Sequence, residues 1–192
     1  MITPMVDKDG SATRTSAEGE MALATGDTAL AREKFAAAGE ILLRNMGAVY
    51  KAADKHLLRF LAATQFYKGG HYQRALDLSE KIQARLLPKN VRDLLPPFLR
   101  DVKHRSSSGY VVGIRQRLIQ LWEGKRPNEI LVLLQDHPYV FRPAALAYFR
   151  AVACEDIGDF RAAALFFADA IRGAPSDGLI SIPFVLAQPP AP

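Results

Sequence analysis

Ala151-Val152-Ala153-Cys154-Glu155-Asp156-Ile157-Gly158-Asp159-Phe160-Arg161-Ala162-Ala163-Ala164-Leu165-Phe166-Phe167-Ala168-Asp169-Ala170 is the stretch that decides the fold. Apolar residues recur at helical spacing on both sides of Gly158-Asp159, which predicts two helices joined by a tight turn. A glycine supplies the permissive backbone where the first helix stops. Two antiparallel helices approach closely only where side chains are small. Ala151 and Ala163 mark such points on the two helices, and Phe167 fills the space towards a neighbouring pair.

Working outward, the same spacing appears twice more. An early copy reads Gly19, Gly26-Asp27, Ala31, Phe35, Ala38, and a middle copy reads Ala63, Phe66, Gly70-His71-Tyr72, Ala75, Ile82. In each, a small residue precedes the turn glycine by seven positions and another follows it by five. The middle copy departs at Ser79, where the others carry Phe35 and Phe167. A degenerate copy is expected around Gly124, with a first helix over Val111–Trp122 and a second from Pro127, because proline is tolerated at a helix's first position. Leu118, Leu121, Ile130, Leu131, Leu133 and Leu134 supply its apolar faces. Aligned on Gly124, its small-residue positions hold Arg117 and Glu129, so its packing must differ.

This repeated pattern resembles the tetratricopeptide repeat (TPR), a helix-turn-helix unit of about 34 residues. The last copy matches best, with its Gly158, Phe160, Ala163, Phe167, Ala170 and Pro175. The family's usual tryptophan early in the first helix is replaced by Thr15, Arg59 and Ala147. The resemblance implies an all-α chain, stacked as a short right-handed TPR solenoid of three clear units and one degenerate one. Units are expected near 12–45, 56–89, 110–143 and 144–177, within a repeat domain over 14–175. Residues 1–13 are expected to be disordered. Met46 to Lys55 is expected to lengthen the first helix of the second unit. The inserted segment 90–109 is expected to form a short helix restarting at Pro96-Pro97 and ending in a mobile loop around Lys103–Gly109. The tail, 176–192, reads as extended, apolar and proline-rich.

Composition agrees with close-packed helices. Hydrophobic residues make up 49% of the 192 and alanine is abundant, while no run approaches the roughly 18 apolar residues of a membrane span. Met1–Arg14 holds Asp7 and Asp9 and no apolar segment, which argues against a secretory signal. The single cysteine, Cys154, permits no intrachain disulfide; a cytoplasmic protein is expected, although a disulfide-free secreted chain would look the same. The net charge is +5 and is uneven: Lys81 to Arg126 carries eleven basic residues against three acids. Such a segment permits an acidic partner.

No catalytic constellation stands out. His56, His71, His104 and His137 are scattered at no metal-ligand spacing, and Gly69-Gly70 lacks the Lys-Ser/Thr of a phosphate loop. No cofactor, metal or catalytic residue is therefore expected. In TPR arrays the first helices line a concave binding face. Carried over by position, that face comprises Leu57, Phe60, Thr64, Tyr67 and Lys68, then Trp122, then Tyr148, Val152 and Glu155. Aromatics there suit a bound peptide or helix, and the competing reading is that they pack under the inserted segment. Ser16, Glu20, Phe60 and Thr64 stand where chaperone-clamping members carry Lys and Asn, so a carboxylate clamp is not expected. The expected function is a non-enzymatic scaffold for protein–protein interaction. The alternative is a helical-repeat regulator that holds an acidic protein or nucleic acid through a basic patch of Lys103, Arg105 and Arg115. No nucleic-acid motif accompanies the patch, so a protein partner is preferred. Ile180, Ile182, Phe184 and Leu186 of the tail are candidates for a cap, for a groove occupant, or for self-association.

Overall fold

The structure is a computed structural model and describes Asp7 and residues 10–173. The tail 176–192, with its four apolar candidates, and Pro175 lie outside the described residues. Every regular element among the described residues is helical. In order these are α1 (Ser11–Ala24), α2 (Thr28–Gly47), α3 (Ala52–Lys68), α4 (Tyr72–Ser79), α5 (Lys89–Arg92), α6 (Leu95–Ser106), α7 (Ser108–Glu123), α8 (Pro127–Asp136), α9 (Pro143–Asp156) and α10 (Phe160–Gly173). A single 3-10 turn, Ala84–Leu86, precedes α5. The chain divides into two compact units, Met1–Tyr110 and Val111–Pro192.

Four helical hairpin turns share one closure. Gly26, Gly70 and Gly158 have φ of 86°, 71° and 83°, a left-handed conformation that uses the permissive backbone expected of them. In each turn the following N–H reaches back to a carbonyl five residues earlier: Asp27 to Ala22 at 2.9 Å, His71 to Phe66 at 2.8 Å, Asp159 to Cys154 at 2.9 Å. This is the bonding that ends a helix on a left-handed residue. Asp27 and Asp159 then start the next helix, their carboxylates accepting from Leu30 N at 2.9 Å and Ala162 N at 3.0 Å.

The degenerate copy uses the same closure one residue later than the glycine suggests. Lys125, not Gly124, has positive φ (51°), and Arg126 N donates to Leu121 O at 3.0 Å. Re-registered on Lys125, the two contact positions hold Leu118 and Ile130, which are 1% and 2% exposed. Arg117 and Glu129 point instead to solvent and pair loosely at 4.0 Å. The unit therefore fills with large aliphatic side chains the place that the others keep small.

In the first unit α1 packs on α2, α2 on α3, and α3 on α4. Hairpins α1/α2 and α3/α4 therefore lie side by side. Ion pairs cross between them at Lys68–Glu20 and Arg74–Glu40, each 2.5 Å. Both pairs are exposed and add little stability. Burial does more: Phe35 and Phe66 are fully buried, and each such ring contributes roughly 1.5–3 kcal/mol. Their fit depends on absent side chains. A Cβ at Gly19 would stand 3.0 Å from the Phe35 ring, and one at Gly39 would stand 2.8 Å from the Phe66 ring. In the second unit α8 packs on α9 and α9 on α10, around Leu134, Leu146 and Ala151.

Three local expectations are corrected. Helix α1 begins at Ser11, inside the stretch expected to be disordered. Asp7 anchors it by accepting from Ala12 N at 3.2 Å and Thr13 N at 2.8 Å. The extra residues 46–55 do not simply lengthen one helix. They end α2 at Gly47 and leave 48–51 as a loop before α3, with Tyr50 99% exposed. The mobile loop expected before residue 110 is reduced to Ser107. It takes an extended conformation (φ −73°, ψ 146°) between α6 and α7.

The turns and a buried imidazole can each be tested by substitution. Nothing lies within 4 Å of a Cβ built at Gly158, so Gly158→Ala costs only its conformation, about 1 kcal/mol by urea unfolding. Lys125→Gly relieves the mirror-image strain and raises stability by a few tenths to about 1 kcal/mol, the gain being trimmed by a looser unfolded chain. His56 Nδ1 accepts from Gln83 N at 3.3 Å, which requires that nitrogen to be unprotonated. Burial, then the Arg59 charge, lowers the His56 pKa from 6.5. Its contribution is thus complete above pH 6.5 and is lost as pH falls towards the depressed folded value. His56→Gln should flatten part of that acid limb in denaturation measured from pH 8 to 5; His71, lowered in the same sense by burial, keeps the remainder.

Candidate functional site

The residues assigned to a binding face fall into two groups that the structure treats differently. In the first unit the face of α3 is already covered. After α4 ends at Ser79, residues 80–94 cross over the start of α3, and α6 packs against α4. Phe98 of α6 meets Phe60 edge-on at 5.5 Å and Tyr67 at 5.4 Å. Leu87 and Leu95 join Phe60 in one buried cluster, with Leu57 at its border. Val102 reaches the neighbouring cluster of Leu58, Ala62 and Phe66. Phe60, 8% exposed, is therefore core rather than an open anchor. Thr64 is half-buried and turns its hydroxyl back onto Phe60 O at 3.0 Å, while Lys68 is held by Glu20. The competing reading of these residues, packing beneath the inserted segment, describes Leu57, Phe60 and Tyr67.

A polar clamp fixes α6 in place. Tyr67 donates to the Asp101 carboxylate. Arg105, one turn on, donates to the same carboxylate at 3.2 Å and to the Tyr110 hydroxyl at 3.2 Å. Its guanidinium lies 5.3 Å, 5.9 Å and 5.8 Å from the ring centres of Tyr67, Tyr72 and Tyr110. Such contacts attract a cation to the ring face. Burial, then the Asp101 bond, raises the Tyr67 pKa well above the usual phenol range, so the phenol remains a donor. Burial opposes the Arg105 charge, but bonding to Tyr72 and the other neighbours outweighs it and raises its pKa. Sequence reasoning missed Asp101, Tyr72 and Tyr110. Asp101 and Tyr110 sit on α6 and the first turn of α7, and Tyr72 opens α4, so their meeting is invisible until the insertion is placed.

Arg105 is consequently removed from the proposed basic patch. Lys103 is exposed and faces Glu80 at 3.6 Å. Arg115 is half-buried and belongs to the second unit.

In the second unit two of the assigned residues come together on one ring. Trp122 near the end of α7 meets Phe149 of α9 edge-on at 5.9 Å, and Tyr148 meets the same ring at 5.7 Å. Phe141 approaches it from a third side at 5.8 Å. Phe149 is buried, Trp122 is 39% exposed and Tyr148 is half-buried, so one inner ring carries two outer ones. Val152 is half-buried and Glu155 exposed, one and two turns further along α9. Burial raises the Cys154 pKa, which keeps its thiol protonated and unreactive. Among the described residues no group of three His, Cys, Asp or Glu converges, and no helix is long and apolar enough to cross a membrane.

Arg105→Ala should lower stability by about 1–2 kcal/mol in chemical denaturation, since it leaves Asp101 and three phenols without their shared cation. Arg105→Lys should recover less than half, because an ammonium cannot lie flat between rings. No protein-family model, curated protein or solved structure matches this chain.

Proposed function

We propose that this chain is a non-enzymatic protein-binding module built of TPR-like helical hairpins, and that its open binding face lies on the second unit. The observation that carries this reading is the aromatic cluster of Trp122 and Tyr148 on Phe149. Rings that are rigid, partly exposed and supported from beneath lose little freedom on binding, and such residues dominate interface energies. Val152 and Glu155 continue along the same helix, adding an apolar contact and an acid for a partner's basic residue or backbone N–H. The first unit supports the reading by analogy. There, a face made from equivalent positions holds α6, an amphipathic helix that inserts Leu95, Phe98 and Val102. A partner helix with apolar residues at such spacing suits the face on α9.

The polyanion alternative draws less support. Arg105 is enclosed by tyrosines, Lys103 faces Glu80, and Arg117 and Arg126 both approach Glu129.

Selection of peptides from a display library on the full chain, followed by titration at low and high salt, tests the choice. A selected helical peptide should bind with little salt dependence and lose at least about tenfold in affinity on Trp122→Ala or Tyr148→Ala. Lys103→Glu should leave it unchanged. Binding that collapses with salt and with Lys103→Glu, and ignores the aromatics, would transfer the function to the basic segment.

A further inference from the structure

Cations gather where the first unit's chain doubles back on α3. After α4 the chain runs along α3 towards the start of that helix. Arg59 of α3 donates to Lys81 O at 2.9 Å, His56 accepts from Gln83 N at 3.3 Å, and the 3-10 turn Ala84–Leu86 meets the same helix. Helix α5 is tied to this segment by Arg92, which donates to Leu87 O at 3.1 Å and to Arg85 O at 3.4 Å. These bonds join Lys55 and Arg59, one turn apart on α3, to Lys81, Arg85, Lys89 and Arg92 in one strip. Arg59 is half-buried and the other five are exposed. Among the described residues none of the six is in an ion pair, whereas Lys34, Lys68, Arg74 and Lys103 of the same unit each face a carboxylate. Three acids border the strip: Asp54 in the first turn of α3, Glu80, which faces Lys103, and Asp93 after α5. They leave an excess of positive charge, and cations held side by side repel one another until an anion lies across them.

We propose that this strip binds an acidic segment of a partner protein, one that carries an apolar residue among its Asp and Glu side chains. The surface belongs to the first unit, so the inference stands apart from the binding face on α9. Backbone carbonyls already hold the Arg59 and Arg92 guanidinium groups, so less freedom is lost when they meet a carboxylate. Two observations favour a polypeptide over a nucleic acid. Leu94, two residues beyond Arg92, is 57% exposed and offers an apolar contact that a phosphate backbone has no use for. Single-stranded nucleic acid is held by successive rings under its bases. Among the described Phe, Tyr and Trp residues of this unit only Tyr50, just before α3, is exposed.

The test uses the full chain and three fluorescent probes: a peptide of Glu-Glu-Leu repeats, a single-stranded DNA oligonucleotide, and vesicles of phosphatidylcholine with phosphatidylserine. The peptide should bind more tightly than the other two at low salt, weaken as salt rises, and lose about threefold in affinity on Leu94→Ala. Arg85→Glu with Lys89→Glu should weaken it at least about tenfold, and Lys55→Glu, on a different element, should weaken it in the same direction. All three side chains are exposed, and an unchanged urea midpoint checks that the fold survives. Arg44→Glu with Arg161→Glu makes an equal change of charge elsewhere and should alter binding less than about twofold. Trp122→Ala should leave it unchanged, which separates this surface from the one on α9. No binding of the peptide at low salt, or equal loss in the two paired variants, would defeat the proposal. DNA or vesicles bound more tightly than the peptide would overturn it in favour of a nucleic acid or a lipid surface.

Discussion

Four hairpins among the described residues each close on one residue in the left-handed region, and the packing within each pair follows from that closure. The residue sets where the first helix stops and where the second begins. It also sets which side chains face each other four to seven positions away. At Gly26, Gly70 and Gly158 the conformation comes at little cost because there is no Cβ to clash. At Lys125 it is imposed on a side chain that disfavours it, and the surrounding contacts must supply the difference. Leu118, Leu121, Ile130 and Leu134, all nearly fully buried, are the means.

That distinction explains what was legible in the sequence. The glycine turns and their flanking small residues were readable because glycine in such a pattern has one strong physical use. The three hairpins marked by Gly26, Gly70 and Gly158 therefore stand where the spacing predicted them. The degenerate hairpin was readable in its helices, the second of which starts at Pro127 and ends before Pro138, but not in its frame. Gly124 drew the alignment one residue early, and a one-residue error on a helix turns the assigned side chain by about 100°. Arg117 and Glu129 were therefore assigned where Leu118 and Ile130 pack.

The candidate site was legible in proportion to how local its determinants are. Tyr148, Val152 and Glu155 lie on one helix, and Trp122 joins Tyr148 on the Phe149 ring. Leu57, Phe60 and Tyr67 depend on a segment some forty residues further along the chain, and nothing in their own neighbourhood announces it. The Pro96-Pro97 start of α6 was readable; its destination was not. The clamp of Asp101 and Arg105 on Tyr67 shows why the helix stays there: an aromatic box holds the cation and a carboxylate satisfies both the cation and a phenol.

The contact of Gly39 with Phe66 carries an evolutionary consequence. With a Cβ at 39 falling 2.8 Å from that ring, the two sites cannot drift independently. A side chain at 39 must displace that ring unless a smaller residue already stands at 66, at the expense of a cavity. The reverse order passes through a collision. The pair is therefore a one-way gate for divergence: descendants of this chain either retain both residues or exchange them in a fixed sequence of steps.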